Sequence, residues 1–130
     1  MRIVLVDDSI LIRERLKQML SELEEIEIAG EEQDEIEAIE CIRKLKPDAV
    51  ILDIRLCKGS GINVMREIKK EEPSPTVIIL TNYPNNLYRM KCMNGGADFF
   101  LDKSTEFEQI PVILKEMASK LSNNQHQETE

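Results

Sequence analysis

Short unbroken apolar runs alternate along this chain with longer segments in which apolar residues return every three or four positions. Ile3-Val4-Leu5-Val6, Ala49-Val50-Ile51-Leu52 and Thr76-Val77-Ile78-Ile79-Leu80 are rich in β-branched residues and carry no internal charge. Strands buried on both faces read this way. After the first run, Ile12, Leu16, Met19, Leu20 and Leu23 recur at helical spacing opposite Arg13, Glu14, Lys17, Gln18 and Glu22, with Ser9 placed as the cap. Residues 26 to 29 predict a weaker strand with polar alternation, suited to a sheet edge. Asp34 is then placed to cap a helix carrying Ile36, Ala38, Ile39, Ile42 and Leu45, which Pro47 stops.

The same unit returns three more times. A loop through Gly59 and Gly61 leads to a helix with Ile62, Met65 and Ile68 inward, closed by Pro73 and Pro75. A helix from about Pro84 ends at Asn94-Gly95-Gly96, where glycine accepts left-handed geometry. Residues 97 to 101 predict a fifth strand, and a last helix starts near Gln109 so that Pro111 falls in its first turn. Strands alternating with helices in this way predict an α/β chain, a doubly wound (βα)5 parallel sheet covered on both faces, with ligand chemistry at the carboxyl ends of its strands. The 130 residues suit one domain, expected over 1–121. Residues 122–130 are polar and aperiodic and are expected to form a disordered tail with no output domain after it.

Charge narrows the partners. Seventeen Lys and Arg against 25 Asp and Glu leave a net charge of −8. Phosphate backbones are bound by basic faces, so direct nucleic-acid binding is not expected. The chain has no apolar stretch of membrane-spanning length, and its start meets Asp7 and Asp8 too early for a signal peptide, so a cytoplasmic protein without membrane insertion is expected. The three cysteines, Cys41, Cys57 and Cys92, lack a C-x-x-C spacing and read as buried thiols. His126 sits alone in the polar tail and is given no role. The acids around Glu31–Glu40 read as solvated surface.

If the strands are parallel, Asp7, Asp8, Asp53, Thr81 and, shortly after the fifth strand, Lys103 gather at one edge of the sheet. Carboxylates brought together repel and raise one another's pKa unless a cation joins them. Oxygen ligands without His or Cys suit Mg²⁺, which combines carboxylates with water and phosphate oxygens. A lysine neutralises the oxygens of a transferring phosphoryl group, a threonine hydroxyl donates to one of them, and a carboxylate can serve as the nucleophile.

With these residues in order, the chain resembles the receiver domains of two-component response regulators. The resemblance runs over about residues 2 to 120, through V-D-D-S, I-L-D, I-I-L-T and G-G-A-D-F-F-L-D-K-S. It implies a flavodoxin-like sheet of order 2-1-3-4-5, here of the stand-alone type. It implies that Asp7 and Asp8 organise Mg²⁺, that Asp53 is the phosphoacceptor, and that Arg55 supplies a third protein ligand through its backbone carbonyl. Thr81 is implied as the switch hydroxyl, Lys103 as the phosphoryl contact and Phe100 as the switch aromatic. Arg55 and Tyr83 fall at variable positions that tune phosphoryl lifetime. The implied donor is a histidine kinase or histidine phosphotransfer protein. The implied output is a protein bound through the fourth helix, fifth strand and fifth helix, drawing on Leu87, Tyr88, Lys91 and Phe99. Such a chain catalyses only its own phosphorylation and dephosphorylation.

Three positions depart from the family pattern. Ser104 follows Lys103 in place of a cis proline, Cys57 replaces the proline four residues after Asp53, and Asn82 replaces a small residue after Thr81. They leave room for a receiver-like module that binds partners without phosphate. An aspartate-based phosphohydrolase would carry D-x-D-x-T/V after its first strand, which this chain lacks, and a flavodoxin-like nucleotide binder would want glycine where Asp7 and Asp8 stand.

Overall fold

A computed structural model describes the backbone of residues 1–128, with side chains described through residue 122. The elements follow in the order β1 Arg2–Val6, α1 Ile10–Leu20, β2 Glu27–Glu32, α2 Glu35–Leu45, β3 Ala49–Leu52, α3 Gly61–Ile68, β4 Thr76–Thr81, α4 Asn86–Asn94, β5 Phe99–Asp102 and α5 Gln109–Glu128. The strands form one parallel sheet of order β2-β1-β3-β4-β5, the doubly wound arrangement expected.

Alternation along the strands divides the core into two layers. Ile3, Leu5, Ala49, Ile51, Ile78, Leu80 and Leu101 face α1 and α5, where Leu16, Leu20, Ile110 and Leu114 cover them. Val4, Val6, Val50, Leu52, Val77, Ile79 and Phe100 face α2, α3 and α4, against Ala38, Ile42, Val64, Met65, Ile68 and Cys92. Burying each such aliphatic side chain contributes about 1.5–3 kcal/mol, which makes the two-sided sheet the rigid base from which its carboxyl-end loops project.

Local chemistry sets the helix starts. The side chains of Ser9, Ser60 and Asn85 accept from the backbone N–H of Ile12, Ile62 and Tyr88. α4 consequently begins after Asn85, two residues later than Pro84 suggests. Asp34 does occupy the cap position of α2, but its side chain makes no capping bond. Gly96 takes the positive φ, at +108°, that ends α4, and Pro111 falls in the first turn of α5.

Other expectations are corrected. β2 lies further along the chain than residues 26–29, because its register on β1 carries Glu31 opposite Leu5 and Glu32 opposite Val6 after an irregularity between Ile3 and Val4. Glu31 is tolerated on this strand because Arg13 and Lys17 of α1 pair with it. Ile36, expected inward, is 66% exposed. Of the cysteines, Cys92 is buried, Cys41 half-buried and Cys57 exposed in the loop after β3. α5 continues past Leu121 to Glu128, since extending a formed helix by polar residues needs no new nucleus. The rest of the expected tail, residues 129–130, lies outside the described residues. Among the described residues, no helix is long and apolar enough to cross a membrane.

Candidate functional site

The carboxyl ends of β1, β3, β4 and β5 meet around a small polar cluster. β1 delivers Asp7 and Asp8, β3 delivers Asp53, β4 ends in Thr81, and Lys103 stands one residue beyond β5. Each is placed by the apolar strand before it, whose side chains are locked in the two core layers. Lys103 is further held by its N–H, which donates to the Thr81 carbonyl at 2.9 Å.

Asp7, Asp53 and Lys103 are only 3%, 5% and 7% exposed. The Lys103 ammonium donates to Asp53 Oδ2 at 2.8 Å and lies 2.8 Å from Asp7 Oδ2. The remaining carboxylate oxygens are engaged locally, Asp7 Oδ1 accepting from Ser9 N–H at 2.9 Å and Asp53 Oδ1 from Ile54 N–H at 2.7 Å. Asp8 is exposed, yet one oxygen from each of Asp7, Asp8 and Asp53 falls within 4.8 Å of the others. Thr81 is buried, and its Oγ1 accepts from Tyr83 N–H at 3.0 Å, leaving the hydroxyl proton free to donate toward the cluster.

The electrostatics follow from this packing. Burial pushes the Asp7 carboxyl above its ordinary value, and the hydrogen bond from Lys103 only partly offsets it. Burial pulls the Lys103 ammonium downward, but hydrogen bonds to Asp53 and Asp7, and their charges, outweigh it and hold the group above its ordinary value. Lys103 therefore stays charged and serves two buried anions at once. One lysine against three carboxylates leaves a net negative cluster made only of oxygen donors. That donor set fits Mg²⁺.

The other residues singled out in the sequence lie on the loops and elements next to these strand ends. The Arg55 guanidinium lies over the Tyr83 ring, 3.8 Å from its centroid, joining the loops after β3 and β4. Phe100 points into the core layer under α4, is buried, and is covered by the Arg89 guanidinium at 4.7 Å. Leu87, Met90 and Val112 stand exposed on α4 and α5. Among the described residues, the cis peptide bond is Glu72-Pro73, so Lys103-Ser104 is trans. There the Ser104 N–H, which proline would lack, donates to Asp102 Oδ1 at 2.8 Å.

Arg13 escapes a reading of sequence alone. It sits on the polar side of α1, but its guanidinium donates to the Asp7 carbonyl and to Glu31 Oε1, tying the acidic loop to β2. Its helical phase marks a solvated residue, and no local pattern shows that the edge strand turns Glu31 toward it.

Comparison with known proteins agrees with the geometry. Residues 3–115 match the family described as the response regulator receiver domain. The chain is 39% identical over 121 residues to a protein-glutamate methylesterase/protein-glutamine glutaminase of Pyrococcus abyssi, covering 92% of this chain and 32% of that protein. The chain spans about a third of the length of such relatives. Among solved structures, the response regulator domain of Thermotoga maritima CheB superposes with a TM-score of 0.79 at 28% identity, covering 95% of this chain and 96% of that one. The signal receiver domain of NarL from Mycobacterium tuberculosis gives 0.81 at 26%, covering 91% and 95%.

Proposed function

The chain belongs to the response regulator receiver domains, and from that premise we propose that it takes a phosphoryl group onto Asp53 from a phosphohistidine of a histidine kinase or histidine phosphotransfer protein. The observation that carries this reading is the buried carboxylate at the end of β3, bonded to the buried Lys103 ammonium and flanked by two further carboxylates and Thr81.

An Asp53 carboxylate oxygen attacks phosphorus in line with the imidazole leaving group. The P–O bond forms, the P–N bond breaks, and the departing imidazole takes its proton from solvent. Lys103 stabilises negative charge on the transferring oxygens, and the Thr81 hydroxyl donates to one of them. Asp7, Asp8, Asp53 and the Arg55 backbone carbonyl would hold Mg²⁺, whose charge compensates the carboxylates as a further anion enters. Reversal to the resting chain is hydrolysis: water attacks phosphorus, the bond to Asp53 breaks, and inorganic phosphate leaves. These two steps on its own aspartate are all the chemistry the chain catalyses. Arg55, two residues after Asp53, stacks on Tyr83, two residues after Thr81, and in this reading the pair screens the acyl phosphate from water.

Phosphorylation changes the local charge and draws Thr81 toward the new anion, and Phe100 answers from the adjacent strand. The face of α4, β5 and α5 then presents a different surface to a downstream protein in the cytoplasm. Incubation with phosphoramidate, a small P–N donor, tests the chemistry. Mg²⁺-dependent uptake of acid-labile phosphate is expected; no uptake, with Mg²⁺ binding intact, would favour a module that binds partners without phosphate.

A further inference from the structure

The loop from Asp53 to α3 is held in place from outside the acidic cluster. It folds back on itself: Gly61 N–H donates to the Ile54 carbonyl at 2.7 Å, and Arg55 lies opposite Ser60 in an antiparallel bridge. The return is so close that a β-carbon on Gly61 would sit 1.8 Å from the Asp53 carbonyl oxygen. The far side of this turn is stitched to the junction of β2 and α2. Cys57 N–H donates to the Gln33 carbonyl at 3.2 Å, a bond proline could not make, and Glu35 N–H donates to the Lys58 carbonyl at 2.9 Å.

Glu35 completes the stitch with its side chain. Its Oε1 accepts from Ser60 N–H at 2.8 Å and from Asn63 Nδ2 at 3.2 Å. Gly59, at φ +92°, lets the carboxylate lie against the turn, since a β-carbon there would stand 2.5 Å from Glu35 Cβ. One carboxylate oxygen thus receives the backbone donor of Ser60, which stands opposite Arg55 in the turn, and a side-chain donor from Asn63 in the first turn of α3. A charged acceptor makes such bonds stronger than neutral ones.

We propose that Glu35, on a helix that contributes nothing to the acidic cluster, is a positioning residue for the phosphoacceptor loop. By fixing Ser60 it fixes Arg55 across the turn, and so sets how well the Arg55 carbonyl and Asp53 hold Mg²⁺ together. This rests on the reading of Asp53 and Arg55 given above. Groups that orient metal ligands commonly change metal affinity by about 10–100-fold when removed, and one edge of a loop with other stitches belongs at the low end.

The test compares the intact protein with Glu35→Ala, Glu35→Gln and Glu37→Ala. Glu37 is exposed on the same turn of α2, so its removal takes away the same charge from the helix start without touching the loop. Calorimetry gives the Mg²⁺ dissociation constant, hydrogen exchange in chelator reports residues 54–61, and uptake from phosphoramidate is followed against Mg²⁺ concentration. For Glu35→Ala we expect roughly 10-fold weaker Mg²⁺ binding, faster exchange in the loop alone, and an uptake rate that recovers at saturating Mg²⁺. Glu35→Gln, which keeps the accepting oxygen, is expected to recover most of the affinity, and Glu37→Ala to match wild type. Unchanged Mg²⁺ binding in Glu35→Ala, an equal loss in Glu37→Ala, or a rate that stays low at saturating Mg²⁺ would each overturn the proposal. Wild-type protein that neither binds Mg²⁺ nor takes up phosphate would overturn the parent reading and this one with it, an outcome distinct from a reactive wild type with an equally reactive Glu35→Ala.

Discussion

Replacing Lys103 by alanine removes the cation from a cluster that holds two buried carboxylates. Each 2.8 Å contact, to Asp7 Oδ2 and to Asp53 Oδ2, is worth about 6 kcal/mol of Coulomb energy at an effective dielectric of ~20. Most of that offsets the desolvation of the three groups, and breaking a buried pair from one side costs about 3–5 kcal/mol net because the surviving anions stay buried. For a chain of 130 residues, each kcal/mol corresponds to about 4 °C in melting temperature, so Lys103→Ala in chelator is expected to melt ~10–20 °C below wild type at pH 7. Mg²⁺ narrows the gap, because the cation that Lys103 no longer supplies is replaced by one that stabilises the folded state by mass action. Adding Asp7→Asn to the variant recovers part of the loss by removing one stranded carboxylate. Thermal unfolding by circular dichroism, with and without Mg²⁺, reads all three effects. A loss under about 3 °C in chelator, or one that neither Mg²⁺ nor Asp7→Asn reduces, would refute the view of Lys103 as the counter-ion of this cluster.

Two further outcomes follow from the same geometry. Burial raises the Asp7 pKa above its ordinary 3.8, so the folded chain binds that proton more tightly than the unfolded one; the ionised group costs stability above its folded pKa, and the cost disappears as pH falls toward 3.8. Asp7→Asn is therefore expected to raise the melting temperature in chelator at pH 7, with the gain shrinking toward pH 4 and no added stabilisation by Mg²⁺. Arg55→Ala and Tyr83→Ala each dismantle the stacked pair and are expected to lose phosphate several-fold faster in a single-turnover decay; decay at the wild-type rate or slower rules out the screening role.

What was legible in the sequence depended on the range of the interaction that decides each feature. Val4-Leu5-Val6 before Asp7, or Val50-Ile51-Leu52 before Asp53, is a strand and a site residue in one short string, because a parallel strand buried on both faces must be apolar and its carboxyl end must point to the common edge. Pro111 and the spacing from Ile110 to Leu121 locate the start of α5 just as directly. β2 was displaced because its bounds are set by pairing to β1 and by Arg13 and Lys17 against Glu31, contacts between residues far apart in the chain. Ile36 has the right periodicity for the core but falls beyond the edge of α2 that meets the sheet. Asp34 has the right chemistry for a cap, yet its Oδ1 is buried without a hydrogen-bond partner while Glu35 beside it does the binding. A run of acids looks solvated from any one residue's neighbours, and the donors that use Glu35 lie 25 and 28 residues away in sequence.

The most direct measurement is the intact mass of the wild-type chain and of Asp53→Asn after incubation with acetyl phosphate, each with Mg²⁺ and with chelator, followed by peptide mapping of any modified species. A gain of one phosphoryl group by wild type in Mg²⁺ alone, mapped to Asp53 and absent from Asp53→Asn, is the expected result. A gain that survives in Asp53→Asn or needs no Mg²⁺ would show that the cluster of Asp7, Asp8, Asp53, Thr81 and Lys103 is not the phosphoacceptor site.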